Sequence, residues 1–267
     1  MSKKLTGYTA LVTGGSKGIG AAIVFELAQQ GANVAFCARE SKELRELEQS
    51  LSYSGLSCLA IPVDVFCKDE ISYCVKTVYD KYGSIDLLVN NVGGAIKFGS
   101  FFELEDEDWL KAYEFNVLST VRFCRSAIPY IKASKLKKII NISSISGNQP
   151  GYYNPHYTAT KAAITNLGKH LSNVLADDGV LVNTVCPGSI HSFSWEKNIE
   201  MVSTKSQISF DDAKAMIEKQ ESSKIPLKKI GEGHHIASLV AFLASPESDW
   251  VTGSCFHING GKLQSAF

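Results

Sequence analysis

Thr13-Gly14-Gly15-Ser16-Lys17-Gly18-Ile19-Gly20 is the stretch that decides the fold. It follows an apolar, strand-like run, Tyr8 to Thr13, and it opens an amphipathic pattern typical of a helix over about 18 to 30. Glycines allow a tight turn and a close approach of the backbone to a ligand, and the free N–H groups at a helix start favour negative charge. A glycine-rich turn between a strand and a helix therefore predicts a site for the pyrophosphate of a dinucleotide.

The alternation of strand and helix continues along the chain. Six further strand-like runs follow: Asn33 to Cys37, Ser57 to Val63, Asp86 to Asn90, Lys138 to Ile142, Val180 to Val185 and Ser254 to Ile258. Helical patterns between them cover about 41 to 53, 68 to 81, 106 to 132, 155 to 177 and 233 to 244. Repeated βαβ units require a parallel sheet with right-handed crossovers. We therefore predict an α/β fold: one Rossmann-type, doubly wound domain over 1–267, with a seven-stranded parallel sheet and helices on both faces.

One connection departs from this regular alternation. The segment from about Ser189 to Pro226 is longer than most connections, and it carries one short helical pattern near Asp211 to Glu221. Ligands of doubly wound sheets bind beyond the carboxyl ends of the strands. A long segment at that edge predicts a substrate loop, about 189–226, that closes over the site.

Composition and charge exclude several classes of function. The chain has 267 residues with 27 Lys+Arg and 27 Asp+Glu, and it contains no dense basic run. Nucleic acids and anionic membranes both require a basic surface, so we expect neither as a partner. The amino terminus carries no apolar signal segment and no apolar run is long enough to span a bilayer, which predicts a cytoplasmic protein with a small-molecule substrate.

The cysteines and histidines give no sign of a metal. Seven cysteines are scattered without a C-x-x-C pair, and the six histidines lack ligand spacing. The odd number of cysteines also argues against a disulfide framework. We therefore expect no metal site, and we interpret most cysteines as small buried hydrophobic residues.

The end of the second strand indicates which dinucleotide is bound. An acidic residue there would hold the ribose hydroxyls of NAD, but the sequence reads Ala38-Arg39. Arg39, together with Lys17 in the glycine loop, suits the extra phosphate of NADP. This favours NADP(H) over NAD, the alternative being two surface cations without a ligand.

Two further strand ends carry candidate cofactor residues. Asp64-Val65 follows the third strand, where the carboxylate could accept from the adenine amine or could instead cap the next helix. Asn90-Asn91-Val92-Gly93-Gly94 follows the fourth strand. The asparagines can tie neighbouring strand ends together, and the glycines permit close approach of a flat ring or a ribose, although a turn without a ligand would look similar.

Tyr157 and Lys161 lie four residues apart, with Ser144 thirteen residues upstream. Residues at i and i+4 share one face of a helix, so the ammonium of Lys161 can lie near the phenol of Tyr157 and favour its ionised form. That would make a tunable proton donor. Taken alone the spacing is also that of a solvated helix edge, so its meaning depends on the other motifs.

With these pieces in order, the chain resembles the classical short-chain dehydrogenase/reductase family. The matching residues run in sequence order over the whole chain: Thr13-Gly14-x-x-x-Gly18-Ile19-Gly20, Asp64, Asn90-Asn91-Val92-Gly93, Asn116, Ser144, Tyr157-x-x-x-Lys161 and Pro187-Gly188. Val92 replaces the alanine that is more common in the family's Asn-Asn-x-Gly turn. Members of this family include acyl-carrier-protein ketoacyl reductases, tropinone-type reductases, and steroid and sugar alcohol dehydrogenases.

The resemblance implies a catalytic set and a reaction. Asn116, Ser144, Tyr157 and Lys161 would be its members. Hydride would pass from nicotinamide to the carbonyl carbon of a ketone, Tyr157 would give the proton, and Lys161 would lower the pKa of the phenol and bind the ribose. Ser144 would hold the substrate oxygen. Asn116 would hold a water in a proton relay. The alternative is that Asn116 is an ordinary helical asparagine with no role in the site.

The resemblance also implies the cofactor contacts and the assembly. The cofactor set is Gly14, Ser16, Lys17, Gly18, Ile19, Gly20, Arg39, Asp64, Val65, Asn91, Gly93, Tyr157, Lys161, Pro187, Gly188 and Ile190. The family often has threonine two positions beyond that isoleucine, and here Ser192 keeps a hydroxyl. The long helices at about 106 to 132 and 155 to 177, and the carboxyl end through Phe267, resemble the interfaces of a homotetramer or homodimer.

The substrate side of the predicted site is aromatic and apolar. The candidate lining is Gly94, Ala95, Ile96, Ser146, Asn148, Tyr152, Tyr153, His156, His191, Phe193 and Trp195. Few of these residues carry charge, which favours a neutral ketone or secondary alcohol, with an acyl thioester among the candidates. Two alternatives stay open at this point: an NAD-dependent secondary alcohol dehydrogenase, and a regulatory protein that binds NADP without turnover.

Overall fold

The strands form one parallel sheet in the order β3-β2-β1-β4-β5-β6-β7 in the computed structural model. The structure describes residues 3–265, apart from the side chains at 193 and 194. The strands are β1 Thr9–Thr13, β2 Asn33–Ala38, β3 Cys58–Pro62, β4 Leu87–Asn90, β5 Lys138–Ile142, β6 Leu181–Pro187 and β7 Cys255–Ile258. Each predicted strand agrees with its counterpart to within two residues, and the predicted fold class is confirmed.

Helices cover both faces of the sheet. Their bounds are α1 Gly18–Gln29, α2 Lys42–Tyr53, α3 Lys68–Tyr82, α4 Asp106–Tyr113, α5 Ser119–Ala133, α6 Pro155–Val174, α7 Phe193–Ser206, α8 Phe210–Ser223 and α9 Gly233–Ala244. Among residues 3–265 no helix combines the length and the apolarity needed to cross a bilayer.

The helix predicted over 106 to 132 is not continuous. A π-helical turn, Glu114–Leu118, separates α4 from α5. The side-chain amide of Asn116, inside that turn, donates to the carbonyl of Ala112 at 2.9 Å and so competes with the backbone for its hydrogen bond. The prediction of one long helix is therefore wrong at the turn that carries Asn116.

The segment at 189 to 226 holds two helices rather than one. Ser192 caps α7 and Ser209 caps α8, each side chain accepting from a backbone N–H of the first turn. A small apolar cluster joins the two helices, in which Ile199 packs with Ala213 and Ile217. The helix at 211 to 221 was expected, whereas α7 was not, because the apolar residues of α7 are few and are buried only against its partner helix.

The core consists of two layers, one on each face of the sheet. Side chains alternate along β1, so Ala10 and Val12 pack with α1, α2 and α9, whereas Leu11 packs with α3 and α5. The strand order reverses between β1 and β4: from β1 the chain first builds the sheet outward through β2 and β3, and it then returns to place β4 on the other side of β1. Ligands of such sheets bind in the crevice at that reversal, beyond the carboxyl ends of the strands.

The glycine loop forms one wall of this crevice, and within it the backbone of Gly20 packs tightly against the carbonyl of Gly14. Gly14 has a φ of 64° and Gly18 a φ of 54°, both in the left-handed region. A Cβ at position 20 would collide with the carbonyl oxygen of Gly14 and would lie 2.6 Å from the side-chain nitrogen of Asn91. Both neighbours are held by the backbone or by hydrogen bonds, so neither can move away easily.

We expect Gly20→Ala to lower the free energy of unfolding by about 2 kcal/mol or more, since overpacking against a fixed carbonyl forces a backbone shift. Chemical denaturation followed by circular dichroism measures this. Gly151→Ala is the matched control, because nothing lies within 4 Å of a Cβ built there. Equal stability of the two variants would contradict the close approach.

Candidate active site

The side chains of the predicted catalytic set meet beyond the carboxyl end of β5. Ser144 lies two residues after the end of that strand, and Tyr157 and Lys161 lie on α6. Lys161 is only 3% exposed, and its ammonium donates to the carbonyl of Ile142 at 2.9 Å. Asn116, from the π-helical turn, is fully buried. Three separate parts of the fold, the end of β5, helix α6 and the π-helical turn, therefore bring these residues to one place.

Asn116 fixes the turn that follows β4. Its side-chain oxygen accepts from the N–H of Gly94 at 2.9 Å, and its side-chain nitrogen donates to the Gly94 carbonyl at 3.2 Å. A Cβ at Gly93 would lie 2.7 Å from the ammonium of Lys161 and 2.8 Å from the amide oxygen of Asn116. Only glycine leaves the space in front of these two polar groups open.

Tyr157 lies close to the Ser144 hydroxyl. The Ser144 hydroxyl accepts from the N–H of Ser146 and donates to the Ser146 hydroxyl, both at 3.1 Å. The residue Tyr157 keeps some exposure, but burial of its phenol end raises the pKa, and a hydrogen bond with Ser144 lowers that pKa in part. The phenol is therefore protonated at neutral pH.

Tyr157 and Lys161 lie side by side on α6, as their four-residue spacing predicts. The ammonium lies over the face of the tyrosine ring, 5.7 Å from its centroid, because its hydrogen bond is to the carbonyl of Ile142. Burial lowers the pKa of Lys161 to about 8. The pair thus holds a phenol that keeps its proton and an ammonium that releases one more readily than usual.

The predicted cofactor residues lie at the carboxyl ends of the strands, as expected. Gly14, Ser16, Lys17, Gly18, Ile19 and Gly20 form the turn from β1 to α1, Arg39 follows β2, Asp64 and Val65 follow β3, Asn91 and Gly93 follow β4, and Pro187, Gly188 and Ile190 end and follow β6. The structure therefore places these residues along one edge of the sheet, and the remaining two members of the set, Tyr157 and Lys161, lie on α6.

Several of these side chains are engaged within the protein. The amide of Asn91 donates to the carbonyls of Thr13 and Gly14, both at 3.0 Å, which confirms that it ties two strand ends together. The Asp64 carboxylate accepts from the N–H of Phe66 at 3.0 Å, so it shapes a turn rather than capping α3. The side chain of Val65 is buried in the core, which leaves only its backbone for an adenine ring.

The two cations predicted for the extra phosphate of NADP differ in their surroundings. Lys17 forms an ion pair with Glu43 at the start of α2, with 2.6 Å between the ammonium and a carboxylate oxygen. This contact lowers the pKa of Glu43 to about 2. Arg39 is exposed at the end of β2. A ligand phosphate would therefore compete with Glu43 for Lys17, whereas it would meet Arg39 directly.

Helices α7 and α8 cover this edge of the sheet. Between them and the glycine loop lies a cavity of about 570 Å³, lined by Lys17, Gly18, Glu43, His191, Ser192, Trp195, Glu196, Ile199, Phe210 and Lys214. The Ser192 hydroxyl, predicted to face the cofactor, accepts from the N–H of Trp195 at 3.4 Å as the cap of α7. Phe193, another predicted lining residue, lies outside the described side chains.

The sequence did not reveal how α8 is held in place. Glu221 of α8 accepts from the Ser189 hydroxyl at 2.7 Å and pairs with the Lys262 ammonium near the carboxyl end. His191 lies between Glu218 of α8, at 3.1 Å, and Glu232, at 2.6 Å. Polar contacts between residues so far apart in the chain leave no local pattern in the sequence.

The far wall of the site is aromatic. His156, predicted to be a surface or wall residue, is 1% exposed and packs edge to face on Trp109, with 6.2 Å between ring centroids. Burial lowers its pKa, so it is neutral at physiological pH. Tyr152, by contrast, is 97% exposed. The sequence did not suggest Trp109, because it lies on α4 far from the other motifs.

The sequence comparison now decides the family. Residues 8–202 match the profile of the short chain dehydrogenases. The chain belongs to the short chain dehydrogenase family. Its relatives include the 3-oxoacyl-[acyl-carrier-protein] reductase FabG of Staphylococcus epidermidis, which is 35% identical over 256 residues that cover 95% of this chain and 98% of that one. A tropinone reductase homolog of Arabidopsis thaliana is 36% identical over 265 residues, covering 98% of this chain and 93% of that one.

Solved structures of reductases superpose closely on this short chain dehydrogenase. The L-sorbose reductase of Gluconobacter frateurii, complexed with NADPH and L-sorbose, has a TM-score of 0.92 at 30% identity and covers 99% of this chain and 100% of its own. A variant of actinorhodin polyketide ketoreductase with NADPH has a TM-score of 0.88 at 29% identity with the same coverage. The predicted resemblance is therefore confirmed.

The buried lysine gives this dehydrogenase a testable pH dependence. The pKa of Lys161 is about 8 in the folded protein, against about 10.4 in an unfolded chain. Between these values the unfolded chain binds more protons, so the free energy of unfolding rises with pH. From pH ~7.5 to ~9.5 we expect Lys161 to contribute a rise of about 2 kcal/mol. Tyr157, whose pKa is raised, titrates above this window.

Denaturation of the protein without added ligand at several pH values checks this. Lys161→Met removes its share of the rise, whereas Lys138, whose pKa burial also lowers to about 8, continues to contribute. Lys68→Met, at an exposed position of α3, is the matched control and keeps the full rise. The same slope in both variants would show that Lys161 is not the buried ammonium described here.

Proposed function

We propose that this protein is an NADP(H)-dependent oxidoreductase that moves a hydride between nicotinamide and a ketone or secondary alcohol, acting on the CH–OH group. The observation that carries the proposal is that Lys161 lies between the open backbone of Gly93 and the ring of Tyr157, whose phenol is hydrogen-bonded to Ser144. The two reductases of similar structure that bind NADPH support the choice of cofactor.

The residues of the site suit a dinucleotide. The open space at Gly93, which any side chain would fill, would admit the nicotinamide ribose beside Lys161. The left-handed turn at Gly14 and Gly18 brings the start of α1 toward a pyrophosphate. Ser16, Lys17, Ile19 and Gly20 of the same turn, Asp64, Val65 and Asn91, and Pro187, Gly188 and Ile190 would complete the contacts. When bound, the cofactor supplies or accepts the hydride at its nicotinamide ring.

Tyr157 would act as the general acid in the direction of reduction. As the carbonyl carbon gains a hydride, its oxygen gathers negative charge and takes the phenolic proton, so the product is an alcohol and the tyrosine becomes a phenolate. The raised pKa of Tyr157 keeps the proton in place at neutral pH until that charge develops. Ser144, hydrogen-bonded to the phenol, would hold the same oxygen.

Lys161 would return the proton. Its pKa of about 8 lies closer to neutrality than that of an exposed lysine, so it can pass a proton toward the phenolate and regain one from solvent. Asn116, which the Gly93 backbone brings near Lys161, would position the water that links the lysine to solvent.

The substrate would lie under the helices of the 189–226 segment. The charged part of the cavity there, with Lys17 and Glu43, would face the cofactor. The aromatic pair of Trp109 and His156 would instead face the substrate and favours a neutral ketone or alcohol. An acyl thioester fits the relationship to FabG. We further propose that the protein works in the cytoplasm as a homotetramer or homodimer, without nucleic acid or membrane as a partner.

We expect Tyr157→Phe to lower kcat by a factor of about 10² to 10⁴, since it removes the proton donor, while the Kd for NADPH changes less than about threefold. NADPH oxidation over a panel of ketones, together with fluorescence titration of NADPH, measures both. Tyr53→Phe is the matched control, because that residue is 89% exposed at the end of α2, outside the predicted site. A Tyr157→Phe variant with normal turnover would overturn the proton-donor role.

Arg39 decides between NADP and NAD. We expect Arg39→Ala to raise KM for NADPH about tenfold and to leave KM for NADH unchanged, since one charge-assisted hydrogen bond to a phosphate contributes about 1.5 kcal/mol. Lys42→Ala is the matched control, because Lys42 is 84% exposed and pairs with Glu46. A wild-type protein that prefers NADH would instead support an NAD-dependent alcohol dehydrogenase.

A further inference from the structure

A cluster of metal-binding side chains lies behind the candidate active site. Cys186 is on β6, and Cys255 and His257 are on β7. One ligand atom from each, the two Sγ atoms and a ring nitrogen, all lie within 4.8 Å of one another. Among residues 3–265 this is the one group of three or more histidine, cysteine or acidic residues in which the potential ligand atoms converge in this way.

The sheet register explains the convergence. Cys186 is the direct partner of His257 in the pairing of β6 with β7. Cys255 and His257 are two residues apart on one strand, so their side chains point to the same face of the sheet. The Sγ atoms of Cys186 and Cys255 are 3.2 Å apart, and the Sγ of Cys255 is 3.9 Å from Nε2 of His257. The backbone therefore preforms the cluster.

We propose that Cys186, Cys255 and His257 bind a soft divalent metal ion, zinc above all, with a fourth position open to water. Zinc takes cysteine sulfur at about 2.3 Å and histidine nitrogen at about 2.0 Å in a tetrahedron, which places two sulfur ligands about 3.8 Å apart. The two sulfurs need to separate by only about half an ångström to reach that spacing. On binding, the thiols release their protons to solvent and nothing is oxidised.

The same register disfavours a disulfide bond between Cys186 and Cys255. Cys186 and Cys255 are diagonal partners, two residues out of register on strands about 4.8 Å apart, so their Cα atoms are about 8 Å apart. A disulfide requires about 4.4 to 6.8 Å between Cα atoms, so it could form only with a movement of the strand backbone. A metal ion between the two sulfurs is compatible with this longer Cα–Cα distance and requires no movement of the strand backbone.

The surroundings supply a path for the ion and a second layer of contacts. Cys255 and His257 are exposed, whereas Cys186 is fully buried. The Cys186 sulfur lies 3.9 Å from the Thr165 hydroxyl, which contacts the Ser143 hydroxyl at 2.9 Å. Hydroxyls next to a sulfur ligand orient it and tune its affinity for the metal. The ion would thus reach the site from the β7 edge.

Nothing local in the sequence indicates this site. Cys255-Phe256-His257 lacks the spacing of known zinc motifs, and Cys186 is 69 residues away. The expectation of no metal site rested on this lack of a local ligand motif. The three residues become neighbours only because β6 and β7 pair in this register.

Cobalt(II) is the probe for this proposal, because a thiolate ligand gives its complex an intense charge-transfer absorption in the near ultraviolet. The untagged, reduced, full-length protein is freed of metal with a chelator and titrated with cobalt and then with zinc. We expect one equivalent of cobalt per chain, the thiolate band, and its loss when zinc displaces cobalt. Binding without the band, or no binding, would overturn the proposal.

Variants locate the ion. Cys255→Ser should abolish the band and His257→Asn should weaken cobalt binding about tenfold or more, while Cys58→Ser, on the opposite edge strand β3, leaves both unchanged. Exposed positions at the sheet edge make the first two variants safe for folding, which near-ultraviolet circular dichroism confirms. An unchanged band in Cys255→Ser refutes the assignment. So does thiol titration that finds Cys186 and Cys255 oxidised as isolated, with no cobalt binding after reduction.

Discussion

The amide of Asn91 holds together the two strand ends on which the site depends. It donates to the carbonyls of Thr13 and Gly14, while the Thr13 hydroxyl accepts from the backbone N–H groups of Asn91 and Val92 at 2.9 and 3.1 Å. These bonds join β1 to β4 at the point where the strand order reverses. A primary amide suits this place because it can donate twice. The crevice is therefore formed by the protein itself and does not need a ligand to shape it.

The chemistry of the site comes from burial rather than from an ion pair. Lys161 is buried with a carbonyl as its hydrogen-bond partner, which is unfavourable for a charge and lowers its pKa to about 8. Burial acts on Tyr157 in the opposite sense and keeps the phenol protonated. The two shifts make the Lys161 ammonium the stronger acid of the pair, so transfer of its proton to a phenolate at Tyr157 is downhill in free energy. The cost in stability is accepted where the function needs it.

The sequence predicts what depends on short-range patterns and misses what depends on distant contacts. All strands were predicted, because apolar β-branched runs bounded by polar turns describe them locally. Helix α7 and the π-helical turn were missed, since the first needs the apolar face of α8 and the second needs the bonds between Asn116 and Gly94. The pairing of Lys17 with Glu43 was missed for the same reason. The predicted catalytic residues did converge, because each lies at or near the end of an element that a local pattern describes.

The two sides of the candidate site are held by different interactions. The turn after β4 is held by a buried amide, in the bonds of Asn116 to Gly94, and hydrogen bonds between neutral groups are insensitive to salt. The half under α7 and α8 is held by ion pairs of partly exposed side chains, among them Glu221 with Lys262. Contacts of that kind are individually weak and can break and re-form. Helices α7 and α8 can therefore shift or diverge in sequence without disturbing the turn that Asn116 and Gly94 form beneath them, because no contact of that turn depends on the ion pairs that hold α8.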